Sequence, residues 1–181
     1  AASREGIDSE DCQALEHLCQ RIDIQFQRDN GHESVWLNGE DVSEAIRTPQ
    51  MSLLTSKIAA CAEVRQAMVQ LQRQMGENGG VVLEGRDIGS VVFPQAEVKF
   101  YLEASARARG QRRYEELIAK GMDVDLEQTI HEVEARDAAD SAREHAPLLR
   151  PEDAVAIDST TLTIEQVLEQ MLVVVSQRQQ H

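Results

Sequence analysis

Three groups of residues carry side chains suited to gripping a phosphorylated ligand. The first follows an apolar run, Gly80-Val81-Val82-Leu83, and reads Glu84-Gly85-Arg86-Asp87-Ile88-Gly89. Arg86 offers a rigid fork of donors that suits phosphate. Glu84 and Asp87 can accept from a base amino group or hold Mg²⁺-bound water. The glycines let the backbone turn tightly and approach a ligand closely. The same residues also fit a strand followed by a turn with a surface ion pair. In the second group, Arg136, Asp140 and Arg143 fall at steps of four and three. In a helix they share a face and can close over phosphates, although an ordinary salt-bridged surface helix has the same spacing. Arg107, Arg109, Arg112 and Arg113 cluster just upstream. The third group, Ser56 and Arg65, is weaker: by spacing alone these read as an exposed helix hydroxyl and a solvated side chain.

These residues need elements to position them. Val81-Val82-Leu83 has no polar break and reads as a fully buried strand of a parallel sheet, whose carboxyl end is where open α/β sheets bind ligands. Val98 through Leu102 reads as a second strand, residues 105–120 and about 125–137 as helices, and Ala154 through Ile157 as a last strand. Thr163 and Gln166 have the spacing of a capping box for a terminal helix with Ile164, Val167, Leu168, Met171 and Leu172 on its apolar face. Upstream, Cys12, Leu15, Leu18, Cys19 and Ile22 form a helical stripe over residues 9–22, with Asp8 or Ser9 as its cap. The period then changes to two, with Asn30-Gly31 and Asn38-Gly39 as turns, so residues 22–42 read as a small antiparallel sheet. Ser43 through Ile46 reads as a brief helical turn closed by Pro49, followed by two helices divided near Cys61.

Composition narrows the function. The 181 residues are 41% hydrophobic but only 3% aromatic, so the core must be aliphatic. A formal net charge of -14 argues against nucleic acid as a partner, since that needs a basic face. No apolar run approaches the ~20 residues of a membrane span. Three cysteines, with no C-x-x-C pair, read as reduced thiols in a cytoplasmic protein, with Cys12 and Cys19 packed on one apolar face.

Taken with Leu37-Asn-Gly-Glu-Asp-Val-Ser-Glu-Ala-Ile-Arg-Thr48, Ala146-Pro-Leu and Ile157-Asp-Ser-Thr-Thr-Leu-Thr-Ile-Glu-Gln-Val167, these motifs make the chain resemble the bacterial cytidylate kinases from about residue 7 to about residue 175. The resemblance implies transfer of the ATP γ-phosphoryl group to CMP or dCMP by a monomer, with Mg²⁺ carried by the nucleotide and no protein-only metal site. It implies an α/β fold, a P-loop kinase-like parallel sheet flanked by helices. The kinase core would comprise residues 1–21 and 80–181, with a lid at about 121–147, and residues 22–79 would form a CMP-binding insert. Ser56, Arg65 and Asp87 would recognise cytosine, and Arg86 the CMP phosphate. Asp140 would hold the ribose hydroxyls, Arg136 and Arg143 would neutralise the transferring phosphoryl, and Arg112 would contribute from the ATP side. Two positions depart from the pattern: Ala139 stands where many relatives are basic, and Glu84 where an aspartate is common.

The family's Gly-rich phosphate loop, G-x-x-x-x-G-K-[ST], does not occur in the sequence, which starts Ala-Ala-Ser-Arg. The resemblance therefore implies an upstream segment with that loop and two core strands. Without them the edges of residues 81–83 would go unpaired, at about 1–3 kcal/mol for each buried backbone group. A CMP-binding module without phosphoryl transfer is the alternative.

Overall fold

The protein is described by a computed structural model covering residues 1–29, 31–142 and 148–179. It divides into two compact units, Ala1–Val81 and Val82–His181. Residues 1–21, grouped from sequence with the kinase core, fall in the first unit.

In the first unit a short helix, α1 (Ala2–Glu5), precedes α2 (Cys12–Cys19). Asp11 caps α2 by accepting from the Ala14 amide at 3.0 Å. The cap is neither Asp8 nor Ser9, because the Asp8 carboxylate accepts from the Glu10 amide and holds a turn ahead of the helix. Three antiparallel strands follow, β1 (Ile24–Asp29), β2 (His32–Leu37) and β3 (Glu40–Asp41), in the order β1-β2-β3. Asn38 and Gly39 both take positive φ, 51° and 81°, as a tight hairpin turn requires. After a 3₁₀ turn at Ala45–Arg47 come α3 (Pro49–Ile58) and α4 (Ala62–Met75). Pro49 opens α3 instead of closing the preceding turn, because its missing N–H is harmless in the first helical turn, and Thr48 caps that turn.

The core of this unit is Ala2, Leu15, Leu18, Cys61 and Val64, where α2 packs on α4. Cys12 and Cys61 are joined in a disulfide, with Cα atoms 5.6 Å apart. The expectation of three reduced thiols is thus corrected. Local spacing puts Cys12 and Cys19 on one helix face but does not reveal which cysteine the opposing helix brings. Cys19 stays free, and burial pushes its thiol pKa up.

The second unit contains a parallel pair, β4 (Phe100–Glu103) beside β5 (Val155–Asp158), with Phe100 opposite Val155 and Glu103 opposite Asp158. Helices α5 (Ala106–Ala119), α6 (Leu126–Ser141) and α7 (Ile164–Gln179) complete it. The strand expected at residues 81–83 is absent, and Val82 is fully exposed. A strand forms where a neighbour takes up its backbone groups, and among the described residues none pairs with this run. The capping box of α7 forms as expected: Thr163 Oγ1 accepts from the Gln166 amide, and Gln166 Oε1 accepts from the Thr163 amide. Its apolar stripe, however, is only partly covered: Val167 and Met171 are half-buried, while Leu168 and Leu172 are exposed and Ile164 is 83% exposed. A two-stranded sheet presents too little surface to bury it. No helix among the described residues is long and apolar enough to cross a membrane.

Helices α5 and α6 pack closely because Gly110 has no side chain. A Cβ there would lie 2.7 Å from the Ile130 Cα and 2.4 Å from its Cγ1. Gly110→Ala is therefore expected to lower stability by about 1–3 kcal/mol, read as a drop in urea midpoint, despite alanine's better helix propensity. Reducing the Cys12–Cys61 bridge, which links positions 49 residues apart, should lower stability by about 4 kcal/mol in the chain-entropy account. Thiol titration of denatured, unreduced protein should find one thiol, and three would refute the bridge.

Candidate functional site

Arg86 and Asp87 sit where the chain enters a single wide turn, Ile88–Val92. The Asp87 carbonyl accepts from the amides of Val91 at 2.8 Å and Val92 at 3.2 Å, and Val92 is buried, so the turn is pinned to the interior. Arg86 therefore leaves an anchored backbone and reaches α6. Its Nη1 donates to Asp137 Oδ1 at 3.0 Å, and its Nε lies 3.2 Å from Asp140 Oδ2. Asp140 is 1% exposed, and Arg136, one turn earlier on the same helix, brings its Nε within 3.9 Å of the same oxygen. The other oxygen of Asp137 accepts from Arg109 on α5. Arg109 in turn donates from Nε to the Ala104 carbonyl, just past β4, at 3.0 Å.

Among the described residues, the guanidiniums of Arg86, Arg109 and Arg136 thus gather around the carboxylates of Asp137 and Asp140. A guanidinium is the side chain best matched to phosphate oxygens, because its planar donors meet them in pairs. The acids keep the cations together against their mutual repulsion. The chemistry such a cluster can do is electrostatic: it can hold a phosphate and stabilise charge developing on one. Among the described residues no group of three or more His, Cys, Asp or Glu is arranged to hold a metal ion.

Of the residues singled out from sequence, the structure brings Arg86, Arg136 and Asp140 together, with Asp87 next to Arg86 in the chain. Ser56 and Arg65 belong to the first unit, on α3 and α4. Arg65 donates to the Ala59 carbonyl at 3.3 Å, across the turn between those helices. Arg112 has its described partners elsewhere. Its Nη1 donates to Ser159 Oγ at 3.1 Å and its Nη2 to the Ser159 carbonyl, at the end of β5. Arg143 lies outside the described residues, as do Ala146 and Pro147 of the downstream motif. Sequence reasoning did not assign Asp137 or Arg109 to the cluster. The signal available was the three-residue step from Asp137 to Asp140, which puts both carboxylates on one helix face.

Comparison with known proteins shows where this arrangement belongs. A family model described as cytidylate kinase matches residues 1–177. The chain belongs to the cytidylate kinase family. It is 66% identical over 180 residues to the cytidylate kinase of Syntrophotalea carbinolica, covering 99% of this chain and 77% of that protein. Against the cytidylate kinase of Geobacter sp. the figure is 57% over 178 residues, covering 98% and 76%. The cytidylate kinase of Bacillus subtilis is 46% identical over 178 residues, covering 98% of this chain and 80% of its own length. Family membership makes this chain a nucleotide-binding kinase, a transferase of phosphoryl groups.

Proposed function

We propose that the protein transfers the γ-phosphoryl group of ATP to CMP or dCMP, giving CDP or dCDP. The observation that carries this reading is the gathering of Arg86 and Arg136 on the buried Asp140 in a chain of the cytidylate kinase family. Arg86 grips the acceptor phosphate. Arg136, with Arg143, offsets charge on the phosphoryl group in flight, and Asp140 takes the ribose hydroxyls. Ser56, Arg65 and Asp87 read the cytosine edge. The carboxylate of Asp87 accepts from the exocyclic amino group, and uracil offers a carbonyl oxygen there instead, so its binding leaves two acceptors facing each other. Mg²⁺ arrives as the ATP complex and neutralises part of the triphosphate charge. Positioning and charge stabilisation by this chain's arginines supply the remainder. Arg112 lies on the ATP side in this reading, although its bonds to Ser159 also account for it structurally.

Coupled assays of ATP-dependent CDP formation test the transfer. Turnover with CMP is the expected result, and stabilisation by CMP without turnover would assign binding alone. Arg86→Ala should weaken CMP binding roughly 10- to 100-fold, the worth of a charge-assisted bond to phosphate. Asp87→Asn, whose amide can donate to uracil, should cut the preference for CMP over UMP by roughly tenfold or more. Unchanged CMP binding in Arg65→Ala together with unchanged base preference in Asp87→Asn would remove the base-reading assignment.

A further inference from the structure

The geometry points to Asp137 as a positioning residue that sets the orientation of the phosphate-gripping Arg86, with Arg109 as its anchor to the sheet. This rests on the reading of Arg86 as the acceptor-phosphate ligand. Asp137 uses both oxygens at once: Oδ1 takes Nη1 of Arg86 at 3.0 Å, and Oδ2 takes Nη1 of Arg109. Arg109 is itself held by the Ala104 carbonyl, at the junction of β4 and α5. A chain of charge-assisted bonds therefore runs from the end of the parallel sheet, through Arg109 and Asp137, to Arg86.

Two of the three guanidinium nitrogens of Arg86 are engaged, Nη1 by Asp137 and Nε by Asp140. Two carboxylates meeting one planar group on different edges fix its plane. An arginine left to itself samples many rotamers, and a ligand must then freeze them. Here much of that ordering precedes the ligand. Asp137 is well shielded, its side chain 18% exposed, against 37% for Arg86 and 36% for Arg109. Partial burial keeps the bonds from being screened away as surface pairs are. Asp140 alone would restrain only Nε and would leave the guanidinium free to turn about that contact. The second carboxylate, one turn earlier on α6, removes this freedom.

Calorimetric titrations with CMP and with cytidine test the idea, because only CMP carries the group that Arg86 meets. Asp137→Asn keeps the shape of the side chain and removes its charge. It should weaken CMP binding by roughly tenfold while cytidine affinity stays within twofold of the parent. In an Arg86→Ala background the same change should cost less than twofold more, since a positioning residue has nothing left to position. Arg109→Lys retains the charge but loses the planar fork, and should show the same selective loss. It also serves as the variant of record if Asp137→Asn folds poorly. Three outcomes overturn the inference: CMP affinity within twofold of the parent in both variants, an equal loss for cytidine, or a loss that adds in full to that of Arg86→Ala. If Arg86→Ala itself leaves CMP binding unchanged, the phosphate role of Arg86 fails and the inference with it. If Arg86→Ala weakens binding while Asp137→Asn and Arg109→Lys do not, only the positioning role fails.

Discussion

A carboxylate almost fully withdrawn from water organises the second unit of this protein. Asp140 is 1% exposed, and an ionised group in that position is tolerated only with opposite charge beside it. That requirement draws Arg86 across from the 84–87 segment and Arg136 down from the preceding helical turn. Removing one partner from such a pair typically destabilises a protein by about 3–5 kcal/mol. The two arginines that balance the buried acid are also the pair proposed to meet phosphate, so the proposed ligand site and the stability of this unit share the same side chains.

The helix carrying Asp140 must be held accurately for this to work. Close contact at Gly110 and Ile130 brings α5 against α6, and the Arg109–Asp137 bond crosses the same interface. Close apolar packing sets the distance between the helices, and the ion pair ties them together at the same interface. Placing a charged cluster on two packed helices gives a more precise site than a free loop can. The parallel strands β4 and β5 supply the fixed end, since α5 begins just beyond β4.

The first unit solves a different problem. Its sheet is small and polar on much of its surface, so most of its apolar burial comes from α2 against α4. The Cys12–Cys61 bridge closes that contact covalently. Cys61 also stands at the position just before α4, directly after the turn across which Arg65 bonds to Ala59. Core, crosslink and a nucleotide-contacting candidate thus lie within a few residues of one another.

Periodicity and turn chemistry alone determined the antiparallel meander of residues 22–42, the division into α3 and α4, helices over 105–120 and about 125–137, and the Thr163–Gln166 capping box, while the structure carries the second of those helices on to Ser141. Each depends on neighbours a few residues apart, which a linear pattern records. Motif spacing likewise singled out Arg86, Arg136 and Asp140. Only tertiary structure decided the partners: that Cys61 and not Cys19 meets Cys12, that Arg112 turns to Ser159, and that Asp137 joins Arg86 to Arg109. It also decided that Val81 and Val82, and Ile164, Leu168 and Leu172 on α7, remain exposed, although their composition suits a core. A side chain's hydrophobicity states what burial would gain, but whether it is buried depends on a surface supplied from elsewhere in the fold, and no local pattern specifies that surface.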